Sequence, residues 1–295
     1  MSSPRAITLS NGLKMPVIGL GTWLSTPEEI SLAVSTALDA GYLIQIKRED
    51  IFLVTKLWCT HNYPSEIEDQ VRESLSKLKT DYVDLYLCHF PVTFKHDMSG
   101  QDHTVKVEDI WKALESVYEK GLVKSIGVSN FSIEQIERVM KIAKVPIHNL
   151  QVECHLYFGQ FELQQVCKKY NISLCAYSPI GSAGRKNFVL PDGVKPEWPD
   201  TPYPMEDSLV VSLAKKYNKS PAQILLRHLV QRDIIAIPKS TNKKRIAENF
   251  QIFDFELSSE DMKQLNSVPQ RPRVFTQPFM AGSPEDAFKD ERPKA

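Results

Sequence analysis

Six apolar, β-branched runs of this chain end on side chains that hydrogen-bond or stack: Lys56, His89, Ser129-Asn130, Gln151, Tyr177-Ser178 and Lys239-Ser240. One polar residue after such a run is ordinary. Six in phase describe a single pocket, because an α/β sheet keeps its chemistry at the carboxyl ends of its strands. The last of them opens the stretch Lys239-Ser240-Thr241-Asn242-Lys243-Lys244-Arg245, which sets a hydroxyl and fixed cations at a strand-to-helix junction. Free backbone N–H groups and the helix dipole favour an anion there. Taken singly, each residue has a plainer reading: His89 as a satisfied core histidine, Lys56 as a surface lysine, Trp23 and Tyr177 as packing aromatics, and 239–245 as a solvated helix start. Their common phase favours the pocket. The Cys-His pairs 59/61, 88/89 and 154/155 invite a metal, but adjacent residues such as 88/89 and 154/155 point to opposite faces of a strand, and no metal site is expected.

Strands must bring those ends together. The runs at 51–56, 82–91, 125–130, 149–153, 173–178 and 234–239 read as parallel strands covered on both faces, and helical patterns separate most of them. Capping boxes at Thr26/Glu29, Ser132/Gln135 and Ser220/Gln223, with Pro27 and Pro221 at first helical positions, start three helices. The first covers 27–40 and stops at Gly41. Others fall near 65–79, 107–120, 160–170, 258–266 and from about 242. Asn11-Gly12 supplies a tight hairpin turn that closes the bottom of the barrel, and residues 17–23 form a short first strand whose glycines permit close approach.

The alternation breaks once. Only residues 42–50 separate the first helix from the strand at 51–56, whereas a parallel crossover needs a dozen or more residues. The expected fold is therefore an α/β, (β/α)8 barrel of the TIM type lacking strand two and helix two, one domain over residues 1–295 with a tail from about 267 that folds back over the rim. The Gly/Pro-rich excursion at 179–204 is long enough to be functional.

Composition narrows the partners. Lys plus Arg equals Asp plus Glu at 36 each, so no overall field draws nucleic acid or an anionic membrane. Five cysteines, with no C-x-x-C, fit buried thiols in a reducing compartment. No apolar run approaches the ~20 residues of a membrane span, and the first residues lack a signal-peptide core. A cytoplasmic monomer is expected.

Gly19-Leu20-Gly21-Thr22-Trp23, Val54-Thr55-Lys56-Leu57-Trp58, Leu87-Cys88-His89-Phe90-Pro91, Gly127-Val128-Ser129-Asn130-Phe131, Ala176-Tyr177-Ser178-Pro179 and Ile237-Pro238-Lys239-Ser240-Thr241 resemble the aldo-keto reductases, in the family's order and over nearly the whole chain. The resemblance implies a barrel that binds NADPH without a Rossmann motif and reduces small-molecule aldehydes or ketones with a tetrad of Asp, Tyr, Lys and His. Lys56 and His89 match two members: a lysine that lowers the tyrosine's pKa and a histidine that orients the carbonyl. It further implies that Ser129, Asn130 and Gln151 hold the nicotinamide amide of the cofactor, that Tyr177 stacks on its ring, and that Thr22 and Ser178 also bind the cofactor. Lys239, Ser240, Thr241 and Arg245 would meet the 2′-phosphate, Glu248 and Asn249 the adenine, and Trp23 and Trp58 the substrate. The family carries its Asp and Tyr as D-T-A-x-x-Y on and after strand two, the unit this chain skips after Ala40-Gly41-Tyr42. The expectation is an NADPH-dependent reductase with weak turnover. The alternatives are a cofactor-binding protein without turnover and a misassembled variant.

Overall fold

A computed structural model describes residues 6–39, 47–189, 195 and 197–292. At its centre six parallel strands run in the order β10-β9-β8-β7-β4-β3: β3 (Val54–Leu57), β4 (Leu85–Cys88), β7 (Ile126–Ser129), β8 (Asn149–Glu153), β9 (Ser173–Tyr177) and β10 (Ile234–Ala236). Each matches a run read from the sequence: β8 coincides with it, β4, β7, β9 and β10 are shorter, and β3 starts three residues later and ends one residue later. The first strand expected at 17–23 is reduced to two parallel bridges, Ile18 to Ala236 and Gly21 to Lys239, which continue the sheet beyond β10. Gly21 is needed for that approach, since a Cβ there would lie 2.7 Å from the Ile237 carbonyl oxygen.

Period-two alternation divides these strands into an inner and an outer face. Leu85, Leu87, Cys175 and Ile235 pack inward with Val54 and Ile237, and Leu9 and Met15 join them. Leu9 and Met15 come from the hairpin formed by β1 (Ala6–Thr8) and β2 (Lys14–Pro16). Its turn residue Asn11 donates from Nδ2 to the Lys124 carbonyl and Ser125 Oγ just before β7, so the hairpin plugs the amino-terminal end of the barrel. The outer faces meet helices: α2 (Ile67–Leu78), α3 (Val107–Glu119), α4 (Ile133–Ile142), α5 (Phe161–Lys169) and α7 (Pro221–Gln231) contribute to one core around Trp111.

All three capping boxes form. Thr26 starts α1 (Pro27–Ala37), Ser132 starts α4 and Ser220 starts α7, while Asn242 and Ser258 cap α8 (Lys243–Phe250) and α9 (Ser259–Asn266). Two features escaped the sequence reading. Helix α6 (Ser208–Tyr217) follows the long excursion with Asp207 as its cap, and a short hairpin, β5 (Thr93–Phe94) with β6 (Gln101–Asp102), follows β4. No helix among the described residues is long and apolar enough to cross a membrane.

The stop at Gly41 and the first part of the break at 42–50 fall at residues 40–46, outside the described residues. Just beyond them, Arg48 donates to the Ile51 and Tyr82 carbonyls and to Asp84 Oδ2, each at 2.8 Å, and its guanidinium lies 4.0 Å over the Tyr82 ring. Asp84 also accepts from the Leu53 N–H at 2.9 Å, which aligns β3 on β4. Even so, Val54, Thr55 and Lys56 are only half-buried, whereas β4, β7 and β8 are buried throughout. On α1, Leu32 and Val34 are 40% and 39% exposed.

Candidate active site

The inner face of each strand ends in a polar side chain. Leu85 and Leu87 of β4 lead in phase to His89, and Lys56 is register-paired with Leu87. The His89 N–H continues the ladder by donating to the Leu57 carbonyl at 3.1 Å. Ser129 pairs with Gln151, Gln151 with Cys175, and Glu153 with Tyr177. Lys56, His89, Ser129, Gln151 and Tyr177 therefore share the carboxyl end of one interior.

Hydrogen bonds connect most of this set. Tyr177 donates its phenolic O–H to Asn130 Oδ1 at 2.9 Å, and Asn130 Nδ2 donates to the His89 carbonyl at 3.0 Å. Asn130 holds this position with a left-handed backbone, φ 61°, a conformation asparagine tolerates better than most residues, and its N–H donates to the Gln151 carbonyl. Gln151 is buried and reaches the Cys175 thiol. Ser178 is also left-handed, φ 52°, and turns the chain out of β9.

Electrostatics sets the protonation states. Burial and the neighbouring Lys56 charge push His89 down to about 3, so its imidazole is neutral near pH 7. Burial also lowers the Lys56 pKa, against a weaker opposing influence from Cys175. The Tyr177 phenol is pushed up by burial and stays protonated, as its hydrogen bond to Asn130 requires.

Aromatic rings wall the mouth. Trp58 is 45% exposed and meets the His89 ring edge-on at 5.2 Å. Trp23, 56% exposed, lies 6.0 Å from Phe275, whose ring is in turn 5.8 Å from Tyr177. Phe275 belongs to the tail, which does fold back over the rim. The holder of that tail, Glu153, was not singled out in the sequence. Its carboxylate accepts from the Val274 and Phe275 N–H groups at 2.8 Å each and pairs with His155 at 3.0 Å. Burial alone would raise the Glu153 pKa, but the His155 hydrogen bond, the nearby His155 and Arg273 charges and the tail amides hold it below the usual range.

A second group gathers at the turn into α8, where the sequence leads us to expect an anion. Lys239 lies beside Gly21 and donates from Nζ to the Leu24 carbonyl at 3.2 Å, closing on the exposed Thr22–Trp23 turn. The Ser240 hydroxyl is nearly buried and accepts from the Asn242 N–H. The first turn of α8 carries Lys243, Lys244 and Arg245 and no acid. Cations are unfavourable at the positive end of a helix dipole unless an anion joins them, so this turn fits a phosphate. Thr241 and Glu248 are half-buried and Asn249 is buried behind it, Glu248 pairing with Lys244 at 3.7 Å.

Comparison with known proteins places this arrangement in a lineage. The family profile described as Aldo/keto reductase family matches residues 32–269. Aldo-keto reductase family 1 member A1 of Rattus norvegicus is 40% identical over 299 residues, 89% of each chain, and that of Gallus gallus is 39% identical over 329 residues, 96% of this chain and 97% of the relative. The solved aldose reductase from Schistosoma japonicum superimposes with a TM-score of 0.87 at 36% identity, covering 98% of this chain and all of its own. With residues 32–269 matched by the family profile, a relative 40% identical over 89% of this chain and a solved structure that superimposes over 98% of it, the chain belongs to the aldo/keto reductase family, a family of oxidoreductases.

Proposed function

We propose that this chain binds NADPH and reduces small-molecule aldehydes or ketones in the cytoplasm, as a monomer with slow turnover. The observation that carries the reading is the chain of contacts at the strand ends, where a desolvated Lys56 acts on a neutral His89 and Asn130 joins His89 to Tyr177. Bound NADPH supplies the hydride. Tyr177 offers its ring face to a nicotinamide, and Ser129, Asn130 and Gln151 offer amide and hydroxyl partners to its carboxamide. Lys239, Ser240, Thr241 and Arg245 meet a 2′-phosphate, with Glu248 and Asn249 toward the adenine. Neutral His89 hydrogen-bonds the carbonyl oxygen of a substrate lodged against Trp23 and Trp58.

The slow turnover follows from the proton. The family's Asp and Tyr lie in the unit that the sequence skips after Gly41, and Lys56 then has no phenol to activate. An alignment of 329 positions with the Gallus gallus relative exceeds the 295 residues of this chain, so it opens gaps here, which supports that reading. General acid catalysis is worth about 10²–10⁴-fold, while positioning of hydride and carbonyl is retained.

The test is cofactor titration by fluorescence. Losing a charged phosphate contact costs about 1.5–3 kcal/mol, so Arg245→Ala weakens NADPH at least about tenfold and leaves NADH nearly unchanged. Equal loss for both cofactors contradicts the assignment.

A further inference from the structure

Outside the pocket, one trio of side chains brings together donors that nothing in carbonyl reduction uses. Among the described residues, His61, Glu66 and His96 form a group that could ligate a metal ion, their ligand atoms all within 4.8 Å of one another. His61 Nδ1 is 3.3 Å from Glu66 Oε2, and His96 Nε2 is 2.9 Å from the same oxygen. Ligands about 2.0–2.1 Å from a tetrahedral ion are themselves about 3.3 Å apart, so the His61–Glu66 separation already fits, His96 must draw back slightly from Glu66, and the two histidine nitrogens lie within 4.8 Å of each other. We propose that His61, Glu66 and His96 form a binding site for a zinc-like divalent cation that ties two rim loops together.

Position and support both favour this over a chance ion pair. His61 ends the turn Cys59–His61 after β3, Glu66 is the N-cap residue of α2, and His96 lies between β5 and β6. The two loops are already fastened, because buried Asn62 donates from Nδ2 to the Phe90 and Val92 carbonyls at 3.0 and 2.8 Å. Tyr63 stacks on His96 with ring centroids 5.2 Å apart, and its hydroxyl donates to Asp102 Oδ2, which fixes the imidazole from behind. Glu66 is held ionised: its hydrogen bonds and charge interactions with His96 and His61 outweigh the upward push of burial. Two imidazoles and one carboxylate suit zinc over magnesium, which prefers an all-oxygen octahedron, and they leave a fourth position for water. Competing thiols are withdrawn, since Cys59, Cys154, Cys167 and Cys175 are buried and pushed up to about 12. Cys88, also buried, is pushed up as well. The site shares the rim with Trp58 and His89 but needs neither of them, so it stands or falls apart from the proposed reductase activity.

Calorimetric titration of the full chain, purified without a histidine tag, with zinc chloride tests the proposal. Saturable binding of one zinc per chain is expected, with no comparable heat from magnesium. Loss even of a residue that only supports a metal ligand costs about 10–100-fold in affinity, so His96→Ala and Glu66→Gln each weaken zinc at least about tenfold. His103→Ala, on the same segment, leaves it unchanged. Thermal midpoints without zinc show that the variants are folded, and a zinc-induced rise seen in the wild type disappears in His61→Ala. No saturable binding, or equal affinity in the wild type, His96→Ala and Glu66→Gln, overturns the proposal.

Discussion

Glu153 shows how far one side chain can organise the site. It has no exposed surface, and its charge is met by the His155 ring, by Arg273 at 4.0 Å and by the two tail amides. Removing one partner of a buried ionic network typically costs about 3–5 kcal/mol, so Glu153→Gln is expected to lower unfolding stability by about 3 kcal/mol, measured by urea denaturation. The same change frees Phe275 from Tyr177 and should increase proteolysis in the tail; an intact, equally stable protein would show that the carboxylate is not the anchor. Gln151, on the same inner face two residues earlier, was legible as the polar end of an apolar run. Glu153 was not, because its meaning lies in amides more than a hundred residues later and no local spacing encodes such a partner. Lys56, His89 and Tyr177 were legible for the opposite reason: a strand's period of two delivers any in-phase terminal residue to the interior.

Among the elements, what could be read in advance depended on local signals. Capping boxes are local chemistry, and every one marked a helix. Helix α6 was passed over because Val210 and Val211 interrupt a helical composition just after a proline-rich stretch, and Asp207 caps it without the distal Glu or Gln that completes a box. The β5–β6 hairpin has strands too short to show a period. Between α7 and α9, His228 is buried and its Nε2 is 2.8 Å from Asn266 Oδ1. Burial, and then the Arg232 charge, push it down to about 4. In the unfolded chain a histidine takes up its proton near pH 6.5, while the folded one stays neutral until about 4. Between those values the unfolded state binds more protons, so stability falls as pH falls below about 6.5. Half-buried His89, whose pKa is pushed down by desolvation and the Lys56 charge, adds to this with the same sign. His228→Gln keeps the hydrogen bond without the titration, and the drop in thermal midpoint from about pH 7 to pH 5 should be smaller in it than in the wild type.

For the molecule as a whole, cover is uneven among the described residues. Val54, Thr55 and Lys56 of β3 are half-buried and α1 exposes Leu32 and Val34, while β4, β7 and β8 are buried throughout. Hydrogen exchange should therefore find the amides of β3 less protected than those of β8; equal protection would mean that β3 is sealed by the rest of the chain. On the proposed reading, inserting a strand-helix unit bearing D-T-A-x-x-Y after Gly41 restores the proton donor and raises carbonyl reduction at least about a hundredfold. Comparable turnover without the insert would assign proton delivery to another group. The Glu153 anchor also bears on how such a protein changes over time. It grips the tail by main-chain N–H groups, which every residue except proline offers, so these two hydrogen bonds do not depend on which side chains stand at 274 and 275. On the proposed reading, mounting and selectivity are thus uncoupled: the aromatic lid over the mouth is a replaceable part on a fixed hinge point, and exchanging tail residues would vary the substrate without rebuilding the barrel that holds them.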